Sequence, residues 1–323
     1  YYRTGSVSHS FDGEGQITSA IDYVVSDELP KIYLLSGHGE GALSDTLSDE
    51  LTRSNYETVA DFSLLNVDEI PDDCDTLLIN APTSDISDEE LTMLRDYVQG
   101  DGKLLVFSGP QKDAELTNLD ALLTDYDITV NNGVVVDNDR EHYAFTAPYV
   151  LMPDIESSDI TDPLTEESSH VIVPIAQGLT VGSNSSVTAL LTTSDEAFSK
   201  AAGYAMTTYD KEDGDTDGPF TLAVSITDSN ADGKIVWVST DYLLDDMYNS
   251  YSSGANLDFV MNSLSWMIGK NDAVSIRAKS LNNTYLTISS SSATVLKIVM
   301  IGVIPVCFLL LGIDEVLRRR KMV

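Results

Sequence analysis

The residues best placed to do chemistry are Ser36, Gly37, His38, Gly39 and Glu40, which follow directly on the apolar run KIYLL at residues 31–35. In open α/β sheets ligands gather at the carboxyl ends of strands. Two glycines let backbone amides approach a ligand closely, and a helix start downstream adds a favourable site for anions. His38 and Glu40 could serve as acid and base. These five residues form the candidate ligand-binding set, and the competing reading of the same pattern is a tight structural turn. The glycine spacing fits neither a nucleotide P-loop nor a dinucleotide fingerprint, and no lysine follows.

Other chemistries find less support. A hydrolytic α/β sheet wants a Ser or Cys at a strand-to-helix elbow with a histidine partner. No G-x-S-x-G occurs, and Cys74 precedes its strand rather than following it. His9, His38, His142 and His170 are scattered, none at metal-ligand spacing. Asp228, Asn230, Asp232 and Gly233 match the first half of a calcium loop, but the twelfth position is Ser239 rather than Glu. A hairpin turn accounts for them better. The acidic loop at 210–217 reads as solvated, and Asn184 and Asn282 begin formal glycosylation sequons. The expectation is a chain that is not an enzyme and needs no cofactor or metal.

The elements that would position the candidate set are legible from periodicity. Residues 31–36, 56–62, 75–80 and 103–108 read as strands. Leu43, Leu47 and Leu51 share a helical face. Ser87 with Glu90 forms a capping box that starts a helix ending at Gly100. A further helix is expected over 116–123, and extended chain over 128–137. Strand and helix alternate with short connections, which predicts an α/β fold with a mostly parallel sheet flanked by helices. Residues 138–220 are rich in Ser, Thr, Asp and Pro, and predict an irregular β-rich insertion with strands at 171–174 and 187–191. Residues 221–227 and 235–240 flank a hairpin turn, and 256–268 carry one apolar stripe of a helix.

The chain has 323 residues and a net charge of −34. That field repels nucleic acid and anionic lipid headgroups, and suits either a basic partner or a heavily solvated surface. Cys74 and Cys307 are the two cysteines, too far apart in character to make a disulfide framework. Residues 295–313 carry one charge, Lys297, and are followed by Arg318, Arg319, Arg320 and Lys321. A membrane-crossing helix needs about 20 mostly apolar residues. Flanking cations stay on the cytoplasmic side. Residues 289–292 form a polar tether before this span, and Pro305 is tolerated within it. The expected organisation is therefore an extracytoplasmic domain over 1–292, a transmembrane helix over 293–317 and a basic cytoplasmic tail over 318–323. The chain opens on Tyr1 rather than Met, so further residues are expected upstream.

Several landmarks occur in a recognisable order. Phe11-Asp12-Gly13-Glu14-Gly15-Gln16-Ile17-Thr18-Ser19-Ala20-Ile21 precedes the strand and Ser36-Gly37-His38-Gly39-Glu40. Trp237-Val238-Ser239-Thr240-Asp241-Tyr242, the helix over 256–266 and Ile276-Arg277-Ala278-Lys279 follow, before the apolar span and basic stop. The chain resembles the GldG-like auxiliary components of gliding-motility-type ABC transporters over most of its length, residues 138–220 excepted. The resemblance implies an extracytoplasmic α/β domain related in fold to amidotransferases and flavodoxin-like sheets. It also implies partnership with an ABC ATPase and with permease helices in the lipid bilayer, and no established catalytic residues. The expected function is a non-enzymatic, membrane-anchored domain that binds substrate or an envelope partner and couples to the ATPase. An envelope-facing hydrolase using His38 and Glu40, or a glycan- or peptide-binding module, is the alternative.

Overall fold

The computed structural model describes residues 10–11, 13–25, 29–112, 114–229, 231–269, 279–280 and 298–305. The chain divides into two units, Asp12–Arg277 and a second that joins Tyr1–Phe11 with Ala278–Val323. In the second unit Ser10–Phe11 pairs antiparallel with Lys279–Ser280, and Ile298–Val303 is a π-helical turn. The tether at 289–292, the sequon at Asn282, residues 276–278, most of the 295–313 span and the basic tail lie outside the described residues. Among those described, no helix is long and apolar enough to cross a membrane.

In the larger unit the strands of four or more residues are β1 (Lys31–Leu35), β2 (Glu57–Phe62), β3 (Thr76–Asn80), β4 (Lys103–Phe107), β5 (Ile128–Asn131), β6 (Val134–Asp137), β7 (Gly178–Val181), β8 (Val187–Thr192), β9 (Ala197–Lys200), β10 (Thr221–Thr227) and β11 (Lys234–Val238), and two-residue strands lie at Val150–Leu151, Asp154–Ile155, Val173–Pro174 and Thr216–Asp217. The main sheet runs β2-β1-β3-β4-β11-β10-β7-β5, with β8 also on β10. The pairs from β2 through β11 are parallel, and the remainder are antiparallel. Its first five strands follow the doubly wound order in which the topology switches between the first and third strands. This is the largely parallel, helix-flanked α/β sheet that the sequence predicts.

Alternation along the central strands explains its two covered faces. Leu78, Leu105, Val236 and Val238 point into one core with Leu47 and Leu51 of α2 (Asp45–Arg53) and Phe259, Val260 and Leu264 of α7 (Ala255–Ile268). Leu77, Ile79, Leu104, Val106, Ile235 and Trp237 point into the other, against Leu91, Leu94 and Val98 of α3 (Asp88–Gln99) and Leu119 and Leu122 of α4 (Thr117–Thr124). Each such leucine, fully removed from water, contributes about 2 kcal/mol. The remaining helices of this unit are α1 (Gly13–Val25), α5 (Asp162–Glu166) and α6 (Asp246–Tyr251).

Two expectations are refined. The extended segment 128–137 is two strands. β5 pairs with β7 in the main sheet, whereas β6 pairs with β9 in a separate three-stranded sheet. The break falls at Asn132 and Gly133, where Gly133 has φ +109° and a Cβ would meet the Lys200 carbonyl oxygen at 2.2 Å. Residues 138–220 are not appended to a finished domain either. They supply β7 and β8 to the main sheet, and Leu151, Leu164, Val171, Leu190 and Leu191 sit in the first core.

Candidate functional site

The predicted set lies where the topology places a ligand crevice, past the carboxyl ends of β1 and β3. Its own side chains fill that crevice. Glu40 Oε2 accepts a hydrogen bond from the His38 backbone N–H at 2.8 Å, and Glu40 Oε1 lies 3.3 Å from His38 Nδ1. His38 Nε2 lies 3.2 Å from Glu90 Oε2. That oxygen also accepts from the Ser87 N–H at 2.8 Å, while Ser87 Oγ accepts from the Glu90 N–H, completing the capping box of α3. The imidazole and both carboxylates are buried.

The backbone closes the crevice further. The N–H groups of Thr83 and Ser84, in the loop after β3, both donate to the His38 carbonyl at 2.9 Å. Asn80 Nδ2 donates to the Gly41 carbonyl at 2.8 Å. Ser36 donates to the Phe62 carbonyl through its N–H at 2.7 Å and its hydroxyl at 3.2 Å. Gly39 is required here: its φ is +78°, and a Cβ would lie 2.0 Å from Thr83 Oγ1. The structure thus brings Ser36, Gly37, His38, Gly39 and Glu40 together, but as a brace between the β1 and β3 loops. Both ring nitrogens of His38 are engaged by carboxylates. The residue that sequence reasoning missed is Glu90. It was visible as a helix cap, and its reach to His38 depends on how β1 and β3 pack side by side.

The other motifs resolve in similar ways. Cys74 is buried beneath Tyr97, and burial pushes its thiol up to about 11, so it is no nucleophile. The calcium-like stretch is the β10–β11 hairpin turn. Asp228 N–H donates to the Gly233 carbonyl, Asp228 accepts from the Tyr126 hydroxyl at 3.0 Å, and Asp232 N–H donates to Asp101. Among the described residues no group of three or more His, Cys, Asp or Glu is placed to hold a metal ion. The acidic loop at 210–217 does more than meet water. Lys200 is fully enclosed, its ammonium 2.8 Å from Asp215, 2.7 Å from Glu212 and 2.8 Å from the Asp210 carbonyl. Burial works against its charge, but these partners outweigh burial and raise its pKa.

An open site lies one step along the sheet. A cavity of about 1130 Å³ sits past the carboxyl end of β4, walled by α4, β5, the Asn132–Gly133 turn and residues 201–205. Its polar lining converges from separate segments: Ser108 and Gln111 after β4, Asp120 on α4, Asn132, Gln177 and Tyr204. Asp241 fixes the β4 end by accepting from the Gly109 N–H at 2.7 Å and from Gln111 Nε2 at 3.4 Å. Arg95 is committed to Asp125 through two hydrogen bonds of 2.6 and 2.9 Å. Burial pushes the Asp120 carboxyl up to about 7, helped by the charge of Asp85. Asp85 itself caps α4 by accepting from the N–H groups of Asn118 and Leu119. A roomy cavity with convergent polar groups and a perturbed carboxyl is where a ligand is sought first.

A family model described as an ABC-type uncharacterized transport system, the ABC transporter auxiliary family, matches residues 29–263. The chain belongs to this family. The match takes in every main-sheet strand, the brace at His38 and the cavity, and agrees with the GldG-like resemblance read from the sequence. Members are auxiliary components of ABC transport systems, so this chain is assigned to transport. No curated protein matches the chain. Among solved structures, the mmIFT52 N-terminal domain is similar over 73% of this chain and 97% of its own, at 17% identity and a TM-score of 0.55. That similarity concerns fold alone. PurLQS from Thermotoga maritima aligns over 73% of this chain and 98% of its own, at 8% identity and a TM-score of 0.35. Agd3, a carbohydrate deacetylase, aligns over 65% and 29%, at 8% identity and a TM-score of 0.31. Neither of these two carries an argument.

Proposed function

We propose that the chain is a non-enzymatic, membrane-anchored domain of an ABC transporter complex. It binds substrate or an envelope partner outside the membrane and couples that event to a cytoplasmic ATPase. The carrying observation is the contrast at the sheet's carboxyl edge. The switch-point crevice, where an α/β enzyme would place its chemistry, is packed with His38, Glu40 and Glu90. The neighbouring cavity is open and lined by groups suited to binding. In this reading Ser36, Gly37, His38, Gly39 and Glu40 hold the crevice shut, and the ligand site is the cavity.

The anchor rests on residues 295–313 and the cations at 318–321. Within that stretch, Ile298, Met300, Ile301 and Ile304 are exposed apolar side chains, which suits a lipid-facing surface. The proposed organisation is an extracytoplasmic domain to residue 292, a span over 293–317 and a cytoplasmic tail from 318, beside permease helices. Affinity purification of the full chain from mild detergent tests it. An ATPase subunit is expected to co-purify, and exchanging residues 295–313 for an unrelated span is expected to uncouple transport. A stable monomer that never recovers an ATPase would overturn the proposal. So would loss of transport in a folded His38→Gln variant that retains the complex.

A further inference from the structure

We propose that the cavity beyond β4, together with the aromatic side chains near its Tyr204 wall, binds a neutral oligosaccharide. The inference rests on reading the cavity as the ligand site, and names the ligand's class. Two independent observations support it. The first is the lining. Gln111, Asn132 and Gln177 supply amides, and Ser108 and Thr117 supply hydroxyls. Amides and hydroxyls both donate and accept hydrogen bonds, which matches the alternating donors and acceptors of sugar hydroxyls. Of the five charged residues in the lining, Arg95 is paired with Asp125 and burial favours the neutral form of Asp120, which leaves Lys112 and Glu115, one of each sign, at its exposed edge.

The second observation is a group of aromatic side chains near the Tyr204 side of the cavity. Tyr204, which lines the cavity, lies close to Tyr242. Tyr248 lies within electrostatic reach of Tyr242, Tyr149 and Tyr251. Tyr149 and Tyr209 approach with ring centroids 5.5 Å apart, and Phe145 and Tyr251 with centroids 4.5 Å apart. Phe145 is 54% exposed and Tyr251 53% exposed, so both offer ring surface to a ligand. Phe145 and Thr146 both hold left-handed backbone conformations, φ +58° and +67°, unfavourable for residues with side chains. Strain of this kind gathers at functional sites. Here it holds an aromatic ring out in water.

A sugar ring is apolar on its C–H faces and polar around its rim. It stacks on aromatic rings and hydrogen-bonds to amides. A pocket of amides and hydroxyls with Tyr204 in its wall and further aromatic rings nearby therefore fits a chain of sugars, one unit in the cavity and the following units against the rings. Polyanions are disfavoured by the net charge of −34 and by Asp245 and Asp246 beside the rings. The rings and neighbouring carboxylates would also attract a basic peptide, and that outcome is built into the test.

Binding is measured on the full chain in detergent by isothermal titration. The probes are neutral hexasaccharides (cello-, malto-, laminari-, manno- and chito-series), a polyuronate hexamer and a lysine-rich decapeptide. One neutral series is expected to bind, with both charged probes at least tenfold weaker. Phe145→Ala and Tyr251→Ala are expected to weaken it by about fivefold each, the loss of one ring contact. Gln177→Ala should weaken it by a similar factor, and Leu65→Ala, an exposed apolar side chain on the short 3-10 turn at Leu64–Asn66 between β2 and β3, should not. The inference falls if no neutral series binds, if the peptide binds instead, or if the aromatic variants bind like the parent. If the ATPase still co-purifies in those cases, the transporter reading stands without it.

Discussion

Asp120→Asn gives the sharpest test of the cavity's electrostatics. The carboxyl of Asp120 is pushed up from 3.8 to about 7 by burial, with the charge of Asp85 adding to it. The folded protein therefore holds this proton more tightly than the unfolded chain. Its contribution to stability is fully present below the unfolded pKa and is lost as pH rises through about 7. A shift of roughly three units at about 1.4 kcal/mol each gives an upper figure of ~4 kcal/mol. Asparagine keeps the shape and cannot ionise, so it removes this dependence alone. The assay is denaturant unfolding of parent and variant in detergent between pH 4 and 8.5, followed by fluorescence of the buried Trp237. The variant is expected to gain on the parent steadily as pH rises, by several kcal/mol in total and most steeply between about pH 4 and 7. Asp85→Asn, which keeps a cap acceptor for α4 but removes the charge, is expected to bring the Asp120 midpoint down. A stability difference that stays constant across the range would refute the reasoning, since it would mean that Asp120 titrates like an exposed carboxylate.

Three further outcomes follow from the geometry. Lys200→Met removes the cation from a fully enclosed site and leaves Asp215 buried without it, so a loss of about 3 kcal/mol is expected in denaturant unfolding. Adding Asp215→Asn should recover most of that loss. Gly39→Ala is expected to cost about 2 kcal/mol through left-handed strain and contact with Thr83, and Thr83→Ala in the same chain should relieve the contact part. Cys74 is expected to resist iodoacetamide at pH 8 until denaturant is added, because its thiol is buried and pushed up to about 11; peptide mapping separates it from Cys307.

The first half of the sheet was legible because each strand is a short apolar run closed by turn residues, and α2 and α3 carry serine caps of their own. Ser87 and Glu90 announce α3 three residues apart, and the Leu43-Leu47-Leu51 stripe announces α2. Residues 128–137 are extended as their valines and isoleucine predict, and what the pattern did not show is that Gly133 turns the chain into a different sheet against Lys200. Within 138–220 the strand at 187–191 was legible, but its place was not, because β7 and β8 both pair with β10, which lies beyond the segment. The cavity was not legible at all. Gln111, Asp120, Gln177 and Tyr204 share no motif and meet only once β4, α4, β5 and residues 201–205 are assembled. His38 and Glu40 stand out in the sequence as a possible acid and base, but Glu90, whose carboxylate meets His38 Nε2, lies fifty-two positions from His38 in the chain.

The parallel join between β4 and β11 has a consequence for how the molecule is made. Lys103 to Phe107 pair with Lys234 to Val238, so the middle of the sheet is closed by nearly the last strand to be synthesised. Until the β10–β11 hairpin arrives, β4 presents an open apolar edge, the kind of surface that recruits strands from neighbouring chains. Non-local parallel pairing is also slow to form. Assembly of this unit is therefore timed by its C-terminal third. Truncations before residue 238 should aggregate rather than give a smaller stable piece, and conditions that delay the hairpin should expose the chain to chaperones and proteases.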